Sequence, residues 1–125
     1  TKNRFFPGEE KNGTLAEKIR SFIDAGIYSD LSVESIAADF GVSSTHTIRV
    51  FREKYGTTPH QYILERRISI AKSLLTGTVM PIGEIAALLN YSNTQHFSAS
   101  FRKSVGCTPH KYRHKTPDGK SNDLG

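Results

Sequence analysis

Apolar positions recur along this chain at helical spacing, and no segment of useful length alternates with period two. Thr14-x-x-Glu17 is a capping-box signature ahead of Leu15, Ile19, Phe22, Ile23 and Ile27, which share one helix face. Ser32 is placed to cap a short helix carrying Val33, Ile36, Ala37 and Phe40, and Gly41 to stop it in the left-handed conformation. Ser43 caps the next helix, which runs to about Tyr55 before Gly56. Thr58-Pro59 reads as N-cap and first helical residue, where the missing proline N–H does no harm. A long helix follows to about Thr76, with Leu64, Ile68, Ala71 and Leu75 inward and Gly77 ending it. Pro81 opens a short helix to Leu89, with Ile82, Ile85, Ala86 and Leu89 inward. Asn90 takes the stop position that Gly41 holds earlier. A helix of about Thr94–Val105 ends at Gly106, and Thr108-Pro109 starts a last one to about His114. The pattern predicts an all-α chain of seven helices. The polar ends, about residues 1–13 and 116–125, read as tail or linker.

The chain also repeats itself. FREKYGTTPHQY at 51–62 returns as FRKSVGCTPHKY at 101–112, an offset of 50. Further upstream the offset is 49: Ile36-Ala37-Ala38 pairs with Ile85-Ala86-Ala87, and Ser43 with Ser92. The second copy therefore carries one extra residue near Asn93. Two copies of a ~50-residue unit are too few for a solenoid and fit a pair of pseudo-symmetric subdomains.

Charge sharpens this picture. The 125 residues carry a net charge of +5, unevenly spread. Residues 1–48 hold five Lys/Arg against seven acids, whereas residues 49–115 hold eleven against three. Asymmetry of this kind points to a polyanion partner. The lone Cys107 excludes an internal disulfide framework and a Cys-based zinc site. No apolar run reaches the ~20 residues of a membrane helix, so no membrane partner is expected, and a reducing cytoplasmic setting is the simplest reading. The only methionine is Met80, and a chain opening on Thr1 reads as part of something longer.

In each copy a short helix with an inward Ile-Ala pair meets a left-handed residue, and a short turn leads to a Ser-capped helix. That is a helix-turn-helix, whose second helix enters the DNA major groove. Ala37 and Ala86 are the small residues that let the two helices cross closely.

Taken together, Ile36-Ala37, Gly41-Val42-Ser43, Arg49, Phe51-Arg52, Gly56, Thr58-Pro59, Tyr62, Arg66-Arg67, Ala71, Leu74-Leu75, Ile82, Ile85-Ala86, Tyr91-Ser92, Phe97, Phe101-Arg102, Gly106, Thr108-Pro109 and Tyr112-Arg113 resemble the tandem helix-turn-helix domain of AraC/XylS-family bacterial transcription regulators. The resemblance spans Leu31 to Tyr112. It implies two homeodomain-like subdomains, about residues 14–57 and 78–115, joined by a linker helix over 58–77. It also implies double-stranded promoter DNA and RNA polymerase as partners, activation of transcription at the nucleoid, a sensing or dimerisation domain N-terminal to residue 1, and no enzyme activity or cofactor.

Two positions depart from the family. Asn90 stands where Gly is usual, and Thr47 where a large apolar residue is usual. Phe97 is the counterpart of Thr47, and Ser98 that of Ile48. Either the first recognition helix is rotated, with Ile48, Phe51 and Tyr55 inward, or Ile48 faces DNA, where it can pack on a thymine methyl. The unrotated register is favoured, because Phe51 and Tyr55 match Phe101 and Val105.

Outside the stripe of Thr47, Val50 and Phe51, the first recognition helix offers Ser44, Thr45, His46, Ile48, Arg49 and Arg52. Arg49 is the expected guanine reader, through O6 and N7; a phosphate contact or an ion pair with Glu53 is the alternative. The second helix offers Thr94, Gln95, His96, Ser98 and Ala99. Gln95 suits adenine, Thr94 and His96 suit a base or a phosphate, and Ala99 gives apolar contact only. Arg52, Arg102, Lys103, Lys111, Arg113 and Lys115 are expected on the DNA backbone. The first-turn N–H groups after Thr58 and Thr108 are candidate phosphate contacts too. A joining helix of about 17 residues spans roughly 26 Å, suited to two recognition helices about one DNA turn apart.

Other chemistry has less behind it. His110 and His114 have a spacing that can bind metal, but His60 repeats His110 with no histidine at 64, so no metal is expected. Two further readings stay open at this point. One is the DNA-binding module of a repair or regulatory enzyme whose reactive part lies outside this chain. The other is a helical protein-interaction bundle.

Overall fold

The first helix begins where a reciprocal cap forms. Glu17 N–H donates to Thr14 Oγ1 at 3.2 Å, and Thr14 N–H donates to the Glu17 carboxylate at 3.0 Å. This computed structural model describes residues 13–115, so the tails expected at 1–12 and 116–125 lie outside the described residues. The helices are α1 (Leu15–Ala25), α2 (Val33–Phe40), α3 (Ser44–Tyr55), α4 (Pro59–Gly77), α5 (Ile82–Leu88), α6 (Thr94–Val105) and α7 (Pro109–Arg113). Among the described residues there is no strand. The chain divides between Leu64 and Glu65 into two compact units, so the division falls inside α4.

In the first unit α1, α2 and α3 bury Ile19, Ile23, Ile36 and Phe51 completely, and α4 adds Ile63. Phe22 meets Phe40 edge to face, and Phe51 lies 5.6 Å from the Tyr62 ring. Tyr62 donates its hydroxyl to Asp24 at 2.8 Å, and Lys54 pairs with Glu17 at 3.1 Å. Ala37, 3% exposed, is the small residue that the helix crossing needs. Ser32 and Ser35 cap α2 reciprocally.

In the second unit the later part of α4 takes the place that α1 has in the first. Ile68, Ala71 and Leu75 pack with Ile85, Ala86, Leu89, Phe97 and Phe101 into one buried cluster. Phe101 and Tyr112 repeat the Phe51–Tyr62 contact at 5.5 Å. The cluster also takes in Met80, Tyr91 and Val105 at its margin.

The two turns start alike. Gly41 and Asn90 sit at φ 68° and 69°, the left-handed region. There Gly has no Cβ to clash, and the short polar side chain of Asn is the next best tolerated. Val42 N–H then donates back to the Ala37 carbonyl at 3.0 Å, and Tyr91 N–H to Ala86 at 2.9 Å, the same helix-ending bond in both units. After that the copies part. Ser43 caps α3 directly, its Oγ accepting from His46 N–H at 3.0 Å. In the second unit the chain takes one residue more, and Asn93, not Ser92, caps α6 by accepting from His96 N–H at 2.7 Å. The extra residue predicted near Asn93 thus moves the cap off the repeated serine.

Two expected details of α4 differ, and one of α5. Ile63 is buried where Leu64 was expected, because Leu64 falls beside the inward stripe and is half-buried. Gly77 lies inside the helix, not past its end. The end is made instead by Thr78, whose hydroxyl donates to the Leu74 carbonyl at 2.7 Å, and by Arg113. Pro81 precedes α5 as its N-cap with no side-chain cap, and Leu89 follows it as C-cap.

Candidate nucleic-acid interface

The register of α3 is settled by Thr47. It is fully buried, and its hydroxyl donates to the Ser43 carbonyl at 2.9 Å. A hydroxyl in a core is costly unless bonded, and this one uses a carbonyl one turn back. The helix is therefore unrotated, with Thr47 and Phe51 inward, Val50 half-buried and Ile48 half-buried on the outer side.

The outer face of α3 carries an open depression lined by Thr45, Ile48, Arg49, Arg52 and Glu53. Spacings of three and four residues bring these side chains onto one helix face. Thr45, Arg49 and Arg52 are exposed, while Ser44 and His46 are half-buried beside them. Arg49 Nη2 lies 2.9 Å from His46 Nδ1, so the guanidinium has a histidine partner and not the Glu53 pairing considered above. Glu53 lies on the same face. Its place in the depression follows from its spacing of four from Arg49, and a carboxylate there can accept from cytosine N4.

On α6, Thr94, Gln95, His96 and Ala99 are exposed, and Ser98 is half-buried. The His96 ring stands edge-on to Tyr91 at 5.2 Å, with Ser92 Oγ 3.4 Å from its Nδ1. Tyr91 shares a further hydrogen bond with Ser100 at 3.2 Å. Tyr91 therefore braces α6 from the turn. Gly83 of α5 faces Thr94 closely enough that an added Cβ would stand 3.4 Å from its hydroxyl.

Arg52, Arg102, Lys103 and Lys111 are exposed, available to a phosphate backbone. The hydroxyls of Thr58 and Thr108 accept from Gln61 N–H and Lys111 N–H at 3.1 and 3.2 Å, so each is spent on its own helix start. Arg113 is a correction. It was expected on the DNA backbone, but its guanidinium is turned to its own chain: Nε donates to Leu75 at 3.0 Å, and Nη2 reaches Met80, Thr78 and Leu74 carbonyls at 2.7, 3.3 and 3.5 Å. The last carbonyls of a helix have no partners within it and attract a cation. Arg113 meets that need at the end of α4.

The His110 and His114 rings lie 4.4 Å apart and are tilted to one another, but among the described residues no group of three or more metal-ligating side chains gathers. Likewise none of the described helices is long and apolar enough to cross a membrane.

A family profile described as a helix-turn-helix domain matches residues 28–115. The chain is 32% identical over 97 residues to the virulence regulon transcriptional activator VirF of Yersinia enterocolitica, covering 78% of this chain and 36% of VirF. It resembles the C-terminal domain of AraT, a response regulator from Geobacillus stearothermophilus, with a TM-score of 0.78 at 29% identity over 81% of this chain and 84% of that one. A Chromobacterium violaceum transcriptional regulator, described as of the AraC-type DNA-binding domain-containing proteins, matches with a TM-score of 0.71 at 34% identity, over 78% and 88% of the two chains. The chain spans 35–38% of the length of the first curated relatives it matches.

Proposed function

The chain belongs to the AraC/XylS-type helix-turn-helix family, and from that premise we propose that it binds promoter DNA sequence-specifically through α3 and α6 as recognition helices. The observation that carries the reading is the pair of left-handed turns at Gly41 and Asn90, each leading into a helix with an exposed polar face. Arg49, with Thr45 and Ile48 beside it, reads guanine next to thymine; Gln95, Thr94 and His96 read an adenine-containing segment. Ser44 and Ala99 add close contact, and His46 stands within reach of the same bases. Arg52, Arg102, Lys103 and Lys111 set the position on the phosphates. Of the first-turn N–H groups after Thr58 and Thr108, those of His60 and His110 add backbone contacts, since Gln61 and Lys111 are bonded to the threonine hydroxyls.

Each unit then reads one major-groove segment, and the two segments together make an asymmetric site. VirF is named a transcriptional activator. By extension this chain raises transcription by RNA polymerase at cytoplasmic promoters. A sensing or dimerisation part belongs to the same proposal. The work is binding, with no reaction assigned.

Selection of bound duplexes from a random pool, followed by footprinting, tests the reading. Two protected segments are expected, with affinity falling steeply as salt rises, because phosphate contacts release counterions. A footprint confined to one segment rejects the two-reader arrangement. Binding that ignores salt points instead to a protein-interaction bundle.

A further inference from the structure

We propose that His46 is a positioning residue that holds the Arg49 guanidinium ready for guanine, an inference that rests on Arg49 being a base reader. A guanidinium has only donors, so in the 2.9 Å contact His46 Nδ1 is the acceptor and its ring carries the proton on Nε2. The contact uses one of five N–H donors. Each terminal nitrogen keeps at least one, which is what a bidentate approach to O6 and N7 needs. The acceptor is itself anchored: His46 N–H is bonded to Ser43 Oγ at 3.0 Å, in the first turn of α3. Glu53, on the wall of the same depression, is the competing acceptor that this arrangement leaves aside. Holding a long side chain in one rotamer before DNA arrives lowers the ordering cost of binding.

The internal repeat supplies a control. His96 is the counterpart of His46, but Ala99 stands where Arg49 does. With no guanidinium to hold, His96 turns its ring to Tyr91 and Ser92. The histidine is common to both units, and only the first has an arginine for it to serve.

The experiment uses a duplex obtained by random selection. Guanines in it are replaced one at a time by 7-deazaguanine, which lacks the N7 acceptor. The guanine whose replacement costs about tenfold or more in affinity, and costs nothing further in Arg49→Ala, is the Arg49 contact. At that position His46→Leu is expected to reduce discrimination to about threefold or less, with a larger loss on the selected duplex than on random duplex. His46→Asn, whose Oδ1 falls near the place of Nδ1, is expected to restore it. Full discrimination in His46→Leu overturns the inference and leaves Arg49 as reader. So does a loss at a different base pair, an equal loss on random duplex, or failure of His46→Asn to rescue. If Arg49→Ala changes discrimination nowhere, the reading of Arg49 fails, and this inference fails with it.

Discussion

Arg113 Nη2 donates to the carbonyl oxygen of Met80 at 2.7 Å, across 33 positions of sequence. With the bond from Nε to Leu75, it ties α7 to the end of α4 and to the turn that leads into α5. The arginine that follows the repeated segment, where the first copy has Ile63, is thus a clasp on the second unit. Arg113→Ala is expected to lower the stability of that unit by about 2 kcal/mol, since bonds from a charged donor are lost and half-buried carbonyls are left open. Arg113→Lys should recover only part, because a single ammonium cannot span the same carbonyls. Urea unfolding followed by circular dichroism measures both. At temperatures where the variant stays folded, its DNA salt slope should match that of the unaltered protein.

Lys111, two residues earlier and exposed, is expected to behave in the opposite way. Lys111→Ala should leave stability nearly unchanged, weaken binding to all duplexes alike and reduce the salt slope by about one. Arg49→Ala should cost about 1–3 kcal/mol on the selected site and relax preference at one base pair. Titrations on selected and random duplexes at several salt concentrations separate the two. An equal loss on both duplexes would take Arg49 off the reader face.

Thr47 and Phe97 occupy equivalent positions with very different bulk. Thr47→Val is expected to change stability by less than about 1 kcal/mol: the Ser43 carbonyl keeps the bond from the Thr47 N–H, and a methyl replaces a hydroxyl in a buried site. Thr47→Phe, which copies the second unit into the first, should cost about 1–3 kcal/mol through overpacking. Thermal melts decide, and a Thr47→Phe protein as stable as the parent would show that the first core has room to spare.

The shifted cap of α6 gives a paired test. Asn93→Ala should destabilise by about 1 kcal/mol, the usual cost of losing an N-cap. Ser92→Ala should cost well under half of that, since Ser92 lies one residue outside the cap and meets only the His96 ring. Equal losses in chemical denaturation would place the cap elsewhere.

Glu17 predicts a pH effect. The bond from the Thr14 N–H, and then Lys54, hold its carboxyl below its ordinary value of 4.5. A carboxylate with a lowered folded-state value contributes stability above its unfolded value and loses it as pH falls through the folded one. The contribution should therefore be full at neutral pH and fade below about 4.5. Solvent screens this pair, so the effect is small. Melting temperatures of Glu17→Gln and the parent should differ at pH 7 and converge toward pH 3.

Most helix limits and caps, and the repeat, were legible in the sequence because each is a local matter. Ser43 meets an N–H three residues on, Gly41 and Asn90 close a turn on themselves, and inward Phe51 and Phe101 recur with their Tyr partners. The outward faces of α3 and α6 followed from the same spacing, since a known inward stripe leaves the outward positions by subtraction. What needed the tertiary structure were contacts that distant or competing partners decide. Arg113 looked like one more surface cation until the carbonyls ending α4 stood 2.7 to 3.5 Å from it, more than thirty residues away in sequence. The repeat points to a serine cap for α6, and the path of a one-residue-longer turn selects Asn93 instead. Arg49 had Glu53 and His46 as competing neighbours on one helix, and side-chain geometry, not spacing, chose the histidine. Local backbone chemistry thus determined the elements, while the pairing of long polar side chains depended on what folding brought within 3 Å of them.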